Sequence, residues 1–131
     1  EAALRQLGRK LRYHPTLPKG ANVNFYELTG PDTVLEKTYE RGVEDFTLAC
    51  GTGTGAVVTV LTLLGGVSGR NVRVQMDGGE LTIDAEAHDG RIENLYLTGP
   101  ATLVCAGEIL DKAILDLIKN IKNIKKQEEK V

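Results

Sequence analysis

The chain has 131 residues, 41% hydrophobic and 26% charged, with a formal net charge of −2. This is one domain, long enough to bury a core, and its nearly balanced charge gives no electrostatic case for a nucleic-acid or membrane partner. Two well-separated cysteines do not make a disulfide framework, and the residues as given show neither a signal-peptide pattern nor an apolar run of membrane-spanning length, so a reducing, cytoplasmic setting is expected. The first residue is Glu1, so a fragment, a processed product or a trimmed form is also expected.

Ala2 to Leu11 places Ala3, Leu4, Leu7 and Leu11 at helical spacing, with Arg5, Arg9, Lys10 and Arg12 on the other side as a solvated basic face. His14-Pro15 and Leu17-Pro18 stop this helix, and His14 reads as a structural or exposed loop histidine. Asn22 to Leu28 alternates as a half-buried strand. Gly30-Pro31-Asp32 turns the chain, and Thr33 to Tyr39 returns as the second arm of a hairpin. Asn22 and Asn24 fit turn chemistry, or point amides into a site. Glu40-Arg41 fits a surface strand end, or the rim of a pocket where Arg grips a carboxylate and Glu an ammonium.

The stretch Tyr39 to Leu64, YERGVEDFTLACGTGTGAVVTVLTLL, is the centre of the chain. No charge appears between Asp45 and Arg70, and Ala56 to Leu64 is apolar except for Thr59 and Thr62. A helix with no polar face is expected to be buried on all sides. Cys50 stands immediately before Gly51-Thr52-Gly53-Thr54-Gly55, where this helix starts. A helix N-terminus offers unpaired N–H groups and partial positive charge, glycines let an anion approach, and the field there favours a thiolate. A base and an anion cradle in one stretch suit removal of a proton next to a carboxylate, where charge develops on oxygen. The other reading is a structural cysteine beside a Gly-rich turn. Nucleotide binding fits poorly: no Lys-Ser/Thr follows the glycines, and the spacing is not GxGxxG after a parallel strand.

Gly65-Gly66 ends the helix. Asn71 to Met76, Leu81 to Ala87 and Ile92 to Leu97 read as short strands separated by Asp77-Gly78-Gly79 and His88-Asp89-Gly90, and Ala101 to Ile109 reads as a fourth, with Cys105 as core. The fold class is α+β: a bent antiparallel or mixed sheet, a half-barrel, wrapped round one buried central helix. From Leu110 on, Leu110, Ile114, Leu117, Ile121 and Ile124 form a heptad-like seam on an amphipathic tail helix, which docks on the sheet or pairs with another chain as a homodimer. Residues 1–109 are expected to be one lobe and residues 110–131 a helical tail.

YERG, then CGTG, with NVNF upstream and LTGPA downstream, resembles the diaminopimelate epimerase family, in its C-terminal half. LGRKLRYHPTLPKGANVNF is similar to the segment that opens that half, so the resemblance runs from about Leu7 to Ile109. It implies a two-lobe fold, each lobe a sheet round a central helix, with the site in the cleft between them. It implies interconversion of LL- and meso-diaminopimelate, in lysine and cell-wall precursor synthesis, without pyridoxal phosphate or metal. Two cysteines, one per lobe, would act as base and acid on opposite faces of the α-carbon. Cys50 matches the C-terminal-lobe cysteine, and Glu40 matches a residue near the reacting ammonium. Gly51 and Thr52 match the backbone donors to the reacting carboxylate, and Asn22 and Arg41 match the side chains that recognise the distal end. The N-terminal lobe and its cysteine are missing from this sequence, so the isolated chain is expected to be inactive and at most to bind substrate weakly. The alternatives are a proline racemase-like or phenazine-biosynthesis-like isomerase of the same superfamily, or a non-catalytic dimerising or binding module.

Overall fold

The computed structural model describes residues 1–119. The alternation read in the first half forms a hairpin of β1 (Val23–Gly30) and β2 (Thr33–Tyr39), antiparallel, with Val23 opposite Tyr39 and Leu28 opposite Val34. Side chains of a strand point alternately to its two faces, which brings Val34, Glu36 and Thr38 together on the inner face, all buried. A two-residue strand, β3 (Phe46–Thr47), pairs with the end of β2 through Thr38–Thr47 and Tyr39–Phe46. Its two residues are too few to show a period, so it is not visible in the sequence.

Helix α2 (Gly51–Leu63) carries the chain across to β4 (Val72–Met76), which runs parallel to β2 with Thr33 opposite Arg73 and Leu35 opposite Gln75. β5 (Gly79–His88) and β6 (Arg91–Thr98) complete an antiparallel meander. The sheet has six strands in the order β1-β2-β4-β5-β6, with β3 on β2, so the architecture is α+β with a mixed, open sheet round a central helix. The core is where α2 meets the sheet: Val57, Val58 and Leu61 pack with Val34, Val67, Val72, Val74, Ile83 and Ala85. Each such side chain contributes about 1.5–3 kcal/mol when fully buried.

The expectation of a helix buried on all sides needs correction. Gly53, Thr54, Gly55, Val57, Val58 and Leu61 are buried, but Val60 and Leu64 are 51% and 75% exposed. An open sheet reaches only part of the way round a helix, so a uniformly apolar helix ends with one covered face and one bare one. The helix does stop at the paired glycines. Gly66 N–H donates to Leu61 O (2.8 Å) and Gly65 N–H to Thr62 O (3.1 Å), with Gly65 at φ +71°, the Schellman pattern that uses up the last carbonyls.

Helix α1 (Ala2–Arg12) is not merely decorated with solvated charge. Arg5 Nε donates to Asp45 Oδ1 (2.6 Å), and Arg12 Nη2 lies 2.9 Å from Glu44 Oε1, so two of its arginines bridge to the turn between β2 and β3. Its buried position is Gly8, where a Cβ would lie 2.9 Å from both Cβ and Cγ of Tyr39. Helical spacing shows which residues share a face, but not that the closest approach is made by a glycine.

The chain forms two compact units, Glu1–Pro100 and Ala101–Val131. In the second, the expected strand over Ala101–Ile109 is absent: these residues join no ladder among the described strands. Leu103 and Val104 are neighbours and do not alternate, and both are exposed, at 87% and 91%. Cys105, expected in the core, is exposed for the same reason. A helix over residues 112–119 follows, capped by Asp111, whose Oδ1 accepts from Ala113 N–H (2.8 Å) and Ile114 N–H (3.2 Å). Ile114 and Leu117 of the predicted seam lie on it, while Ile121 and Ile124 fall outside the described residues.

Two outcomes follow from this packing. Gly8→Ala should lower stability by about 1–3 kcal/mol, since the new methyl meets the stem of a buried ring and overpacking outweighs the gain in helix propensity. Chemical denaturation of the chain measures this, and a variant as stable as the parent would remove the α1–Tyr39 contact from the account. The second concerns Glu36, 1% exposed, whose carboxyl is pushed above its ordinary value by burial, with hydrogen bonds from Thr54 and Thr38 pulling the other way. The unfolded chain gives up this proton at lower pH than the folded chain does. The stability linked to Glu36 is therefore fully present below the ordinary glutamate value of about 4.3 and is lost as pH rises through the folded value. Relative to the parent, Glu36→Gln should become steadily more stable from pH 4 to pH 8 in a denaturation series. A constant or narrowing difference would contradict the upward shift.

Candidate functional site

The site forms where β1 begins, β2 ends and α2 starts. Cys50 is the N-cap residue of α2, in extended conformation (φ −142°, ψ 99°), and its side chain makes no capping hydrogen bond. The first helical hydrogen bond runs from Thr54 N–H to Cys50 O (2.9 Å). The N–H groups of Gly51, Thr52 and Gly53 precede it and have no partner within the helix, which leaves a partly positive helix end beside the thiol.

Cys50 is 8% exposed and is not part of the apolar core cluster. Its sulfur has polar neighbours: Asn22 Nδ2 at 3.7 Å and Thr52 Oγ1 at 3.5 Å. Asn22 links two predicted site residues, because its Oδ1 accepts the backbone N–H of Arg41 (2.9 Å) while its amide nitrogen reaches Cys50. That nitrogen carries a second N–H that a ligand can use. The Arg41 guanidinium is exposed and donates to Lys19 O (3.1 Å). Glu40 is half-buried and fixed through its backbone: its N–H donates to Asp45 O (3.0 Å) and its carbonyl accepts from Glu44 N–H (2.8 Å). Its carboxylate forms no hydrogen bond or ion pair among the described residues. Gly51 lies under β6, with Leu97 Cδ1 3.2 Å from where a Cβ would stand.

The structure thus gathers Asn22, Arg41, Cys50, Gly51 and Thr52 at one helix end, with Glu40 one residue from Arg41 on the adjoining loop. That loop is held from outside. Glu44 accepts from Gly42 N–H (3.1 Å) and pairs with Arg12, and these contacts hold its carboxyl below the usual range. Asp45 is likewise held low, chiefly by Arg5.

Behind the thiol lies a polar cluster that the sequence reading missed. Thr54 Oγ1 is 2.8 Å from Glu36 Oε2 and 2.9 Å from Cys50 O. Thr38 Oγ1 is 2.9 Å from Asn24 Oδ1 and 3.2 Å from Glu36 Oε1. Gly53 makes room for it: a Cβ there would stand 2.7 Å from Asn24 Oδ1 and 2.8 Å from Thr38 Oγ1. The signal was present, since period-two alternation from Val34 puts Glu36 and Thr38 on the core face. Asn24 joins this cluster and does not point to the thiol. Among the described residues, no group of three or more His, Cys, Asp or Glu is placed to hold a metal ion, and no helix is long and apolar enough to cross a membrane.

Comparison with known proteins agrees with this geometry. The family model described as diaminopimelate epimerase matches residues 1–104. A diaminopimelate epimerase of Chlorobaculum tepidum is 44% identical over 103 residues, covering 78% of this chain and 39% of the relative. Those of Leptospira biflexa and Methanococcus maripaludis are 40% and 43% identical, over 81% and 83% of this chain and 36% and 38% of their own lengths. The chain therefore spans less than two fifths of the relatives it matches, and its sheet and helix correspond to one lobe of their fold. By this match the chain belongs to the diaminopimelate epimerase family.

Proposed function

We propose that this lobe supplies one of two acid–base groups in a cofactor-independent epimerase that interconverts LL- and meso-diaminopimelate. Cys50, as thiolate, takes the α-proton from one face, or as thiol returns it. The backbone N–H groups of Gly51 and Thr52 receive the α-carboxylate, whose oxygens gain charge as the proton leaves. Glu40 lies beside the α-ammonium. Asn22 and Arg41 hold the distal amino-acid end, Arg41 by leaving the Lys19 carbonyl for a carboxylate, with which its guanidinium pairs in two parallel hydrogen bonds. Inversion needs a second group on the opposite face of the same carbon, and in this reading a cysteine of an N-terminal lobe provides it.

The observation that supports this most is the thiol at an uncapped helix N-terminus, within reach of Asn22, which in turn holds the backbone of Arg41. A base, an anion-binding end and a cation for a second carboxylate are then contiguous. The proposed setting is cytoplasmic synthesis of lysine and cell-wall precursors, and the whole enzyme needs no metal or pyridoxal phosphate in this mechanism.

The test is exchange of the α-proton of diaminopimelate with deuterium oxide, followed by proton NMR. The chain alone should show none. Joined to an N-terminal lobe, for example that of the Chlorobaculum tepidum relative, it should exchange, and Cys50→Ala should lower the rate by about 10²–10⁴-fold. Intact exchange in Cys50→Ala would overturn the assignment, and exchange with proline but not diaminopimelate would move the protein to another reaction of the superfamily. In the same enzyme, Arg41→Met should raise KM for diaminopimelate by about 10–100-fold with a smaller change in kcat, the loss of a charged hydrogen bond at the non-reacting end. An unchanged KM would remove Arg41 from substrate recognition.

A further inference from the structure

Two hydroxyl protons serve the polar cluster behind Cys50, those of Thr54 and Thr38. Four oxygens lie within reach of them: both oxygens of Glu36, the Asn24 amide oxygen and the Cys50 carbonyl. One hydroxyl donates once, so Thr54 cannot serve both Glu36 and Cys50. A third proton, on Glu36 itself, resolves the conflict: the carboxyl donates to Thr54 Oγ1 over 2.8 Å, and the Thr54 hydroxyl is then free to donate to Cys50 O over 2.9 Å.

The surroundings favour that state. The elements round the Glu36–Thr54 pair contribute Asn24 from β1, Thr38 from β2 and Met76 from β4, whose sulfur lies 3.4 Å from Thr54 Oγ1, and all three are uncharged. No charged side chain among the described residues pairs with Glu36. An ionised carboxylate in such a place has no compensating charge, and a neutral one needs none.

We propose that Glu36 is a positioning residue for Cys50: as a neutral carboxylic acid it donates to Thr54, which donates to the Cys50 carbonyl, tying the thiol-bearing N-cap to strand β2. The chain of two hydrogen bonds fixes the first turn of α2, so that the sulfur stays against the helix N-terminus. Its bearing on catalysis rests on the function proposed above, whereas the tie itself is a property of this chain.

The experiment reads the thiol directly. In the 131-residue chain carrying Cys105→Ser, so that only Cys50 reacts, alkylation by iodoacetamide is followed by mass spectrometry, and the rate at pH 7 is divided by the rate at pH 10. The ratio reports the thiolate fraction and cancels changes in access. Glu36→Gln keeps a donor to Thr54 and Thr54→Ser keeps the hydroxyl, so both should stay within about twofold of the parent. Glu36→Leu and Thr54→Val break the tie, let the N-cap fray and should lower the ratio about fivefold, the scale of a lost cap. Circular dichroism checks the fold, and if Glu36→Leu does not fold, Thr54→Val, which only trades a hydroxyl for a methyl, carries the result.

A higher ratio in Glu36→Gln would mean that an ionised carboxylate opposes the thiolate, which overturns the proposal. An unchanged or higher ratio in Thr54→Val overturns it as well. Because the measurement needs neither substrate nor a second lobe, a failure of deuterium exchange in the joined enzyme would refute the epimerase reading and leave this result standing.

Discussion

The contact on which the rest of the structure depends is the seating of α2 on the inner face of the sheet. Val58, Val34, Val72, Val74 and Ile83 are fully buried there, and they come from a helix and three strands that are distant in sequence. No local preference holds these elements together: β2 and β4 meet only because the apolar helix between them returns the chain to the same sheet, which is why they run parallel. Removing one of these side chains would leave a cavity at the point where four elements meet, and such cavities cost more where the surroundings cannot collapse. The thiol, the YERG loop and the polar cluster are all placed relative to this contact.

The two ends of α2 are finished differently, and the difference separates structure from function. At the C-terminus, Gly65 and Gly66 use the last carbonyls in a closed pattern that leaves nothing for a ligand. At the N-terminus, the cap residue is a cysteine, a residue type outside the favoured Ser, Thr, Asp and Asn. A serine or aspartate there would occupy the first amides with its own side chain. Cys50 forgoes that stabilisation, and the amides stay available. A local rule set aside at one end of a helix and obeyed at the other is what a binding site in an otherwise consistent fold looks like.

Much of this was legible in the residues. The β1–β2 hairpin follows from alternation on either side of Gly30-Pro31-Asp32, the start of α2 from Cys50-Gly51, and its end from the paired glycines. The closeness of Asn22, Arg41, Thr52 and Cys50 was expected from motif spacing, which is the coarse part of the site. What was not legible depends on partners remote in sequence. The Arg5–Asp45 and Arg12–Glu44 bridges turn a face that reads as solvated into a docking face. Residues 101–109 read as a strand by composition, yet a strand exists only with a partner ladder, and composition does not supply one. Glu36 is the sharpest case. Its place in the alternation marks it as inward-facing, but charged residues are rarely buried, so the bland reading is a surface glutamate, and only the positions of Thr38 and Thr54 make it acceptable inside.

The helix N-terminus favours negative charge, and on the proposed reading three groups compete for that field: the thiolate of Cys50, the substrate carboxylate and the carboxyl of Glu36. If all three were ionised, each would raise the cost of the others, because like charges in a poorly solvated site interact far more strongly than in water. Desolvation removes Glu36 from the competition, since the same burial that holds it against Thr54 disfavours its charged form. The cluster then acts as a donor and not as a charge, so the field at the mouth of α2 is left to the two groups that change during proton transfer. A leucine at position 36 would leave the field equally undisturbed but could not hold Thr54. An ionised glutamate would hold Thr54, but at the expense of the thiolate. Only a protonated carboxyl, or an amide in its place, does both.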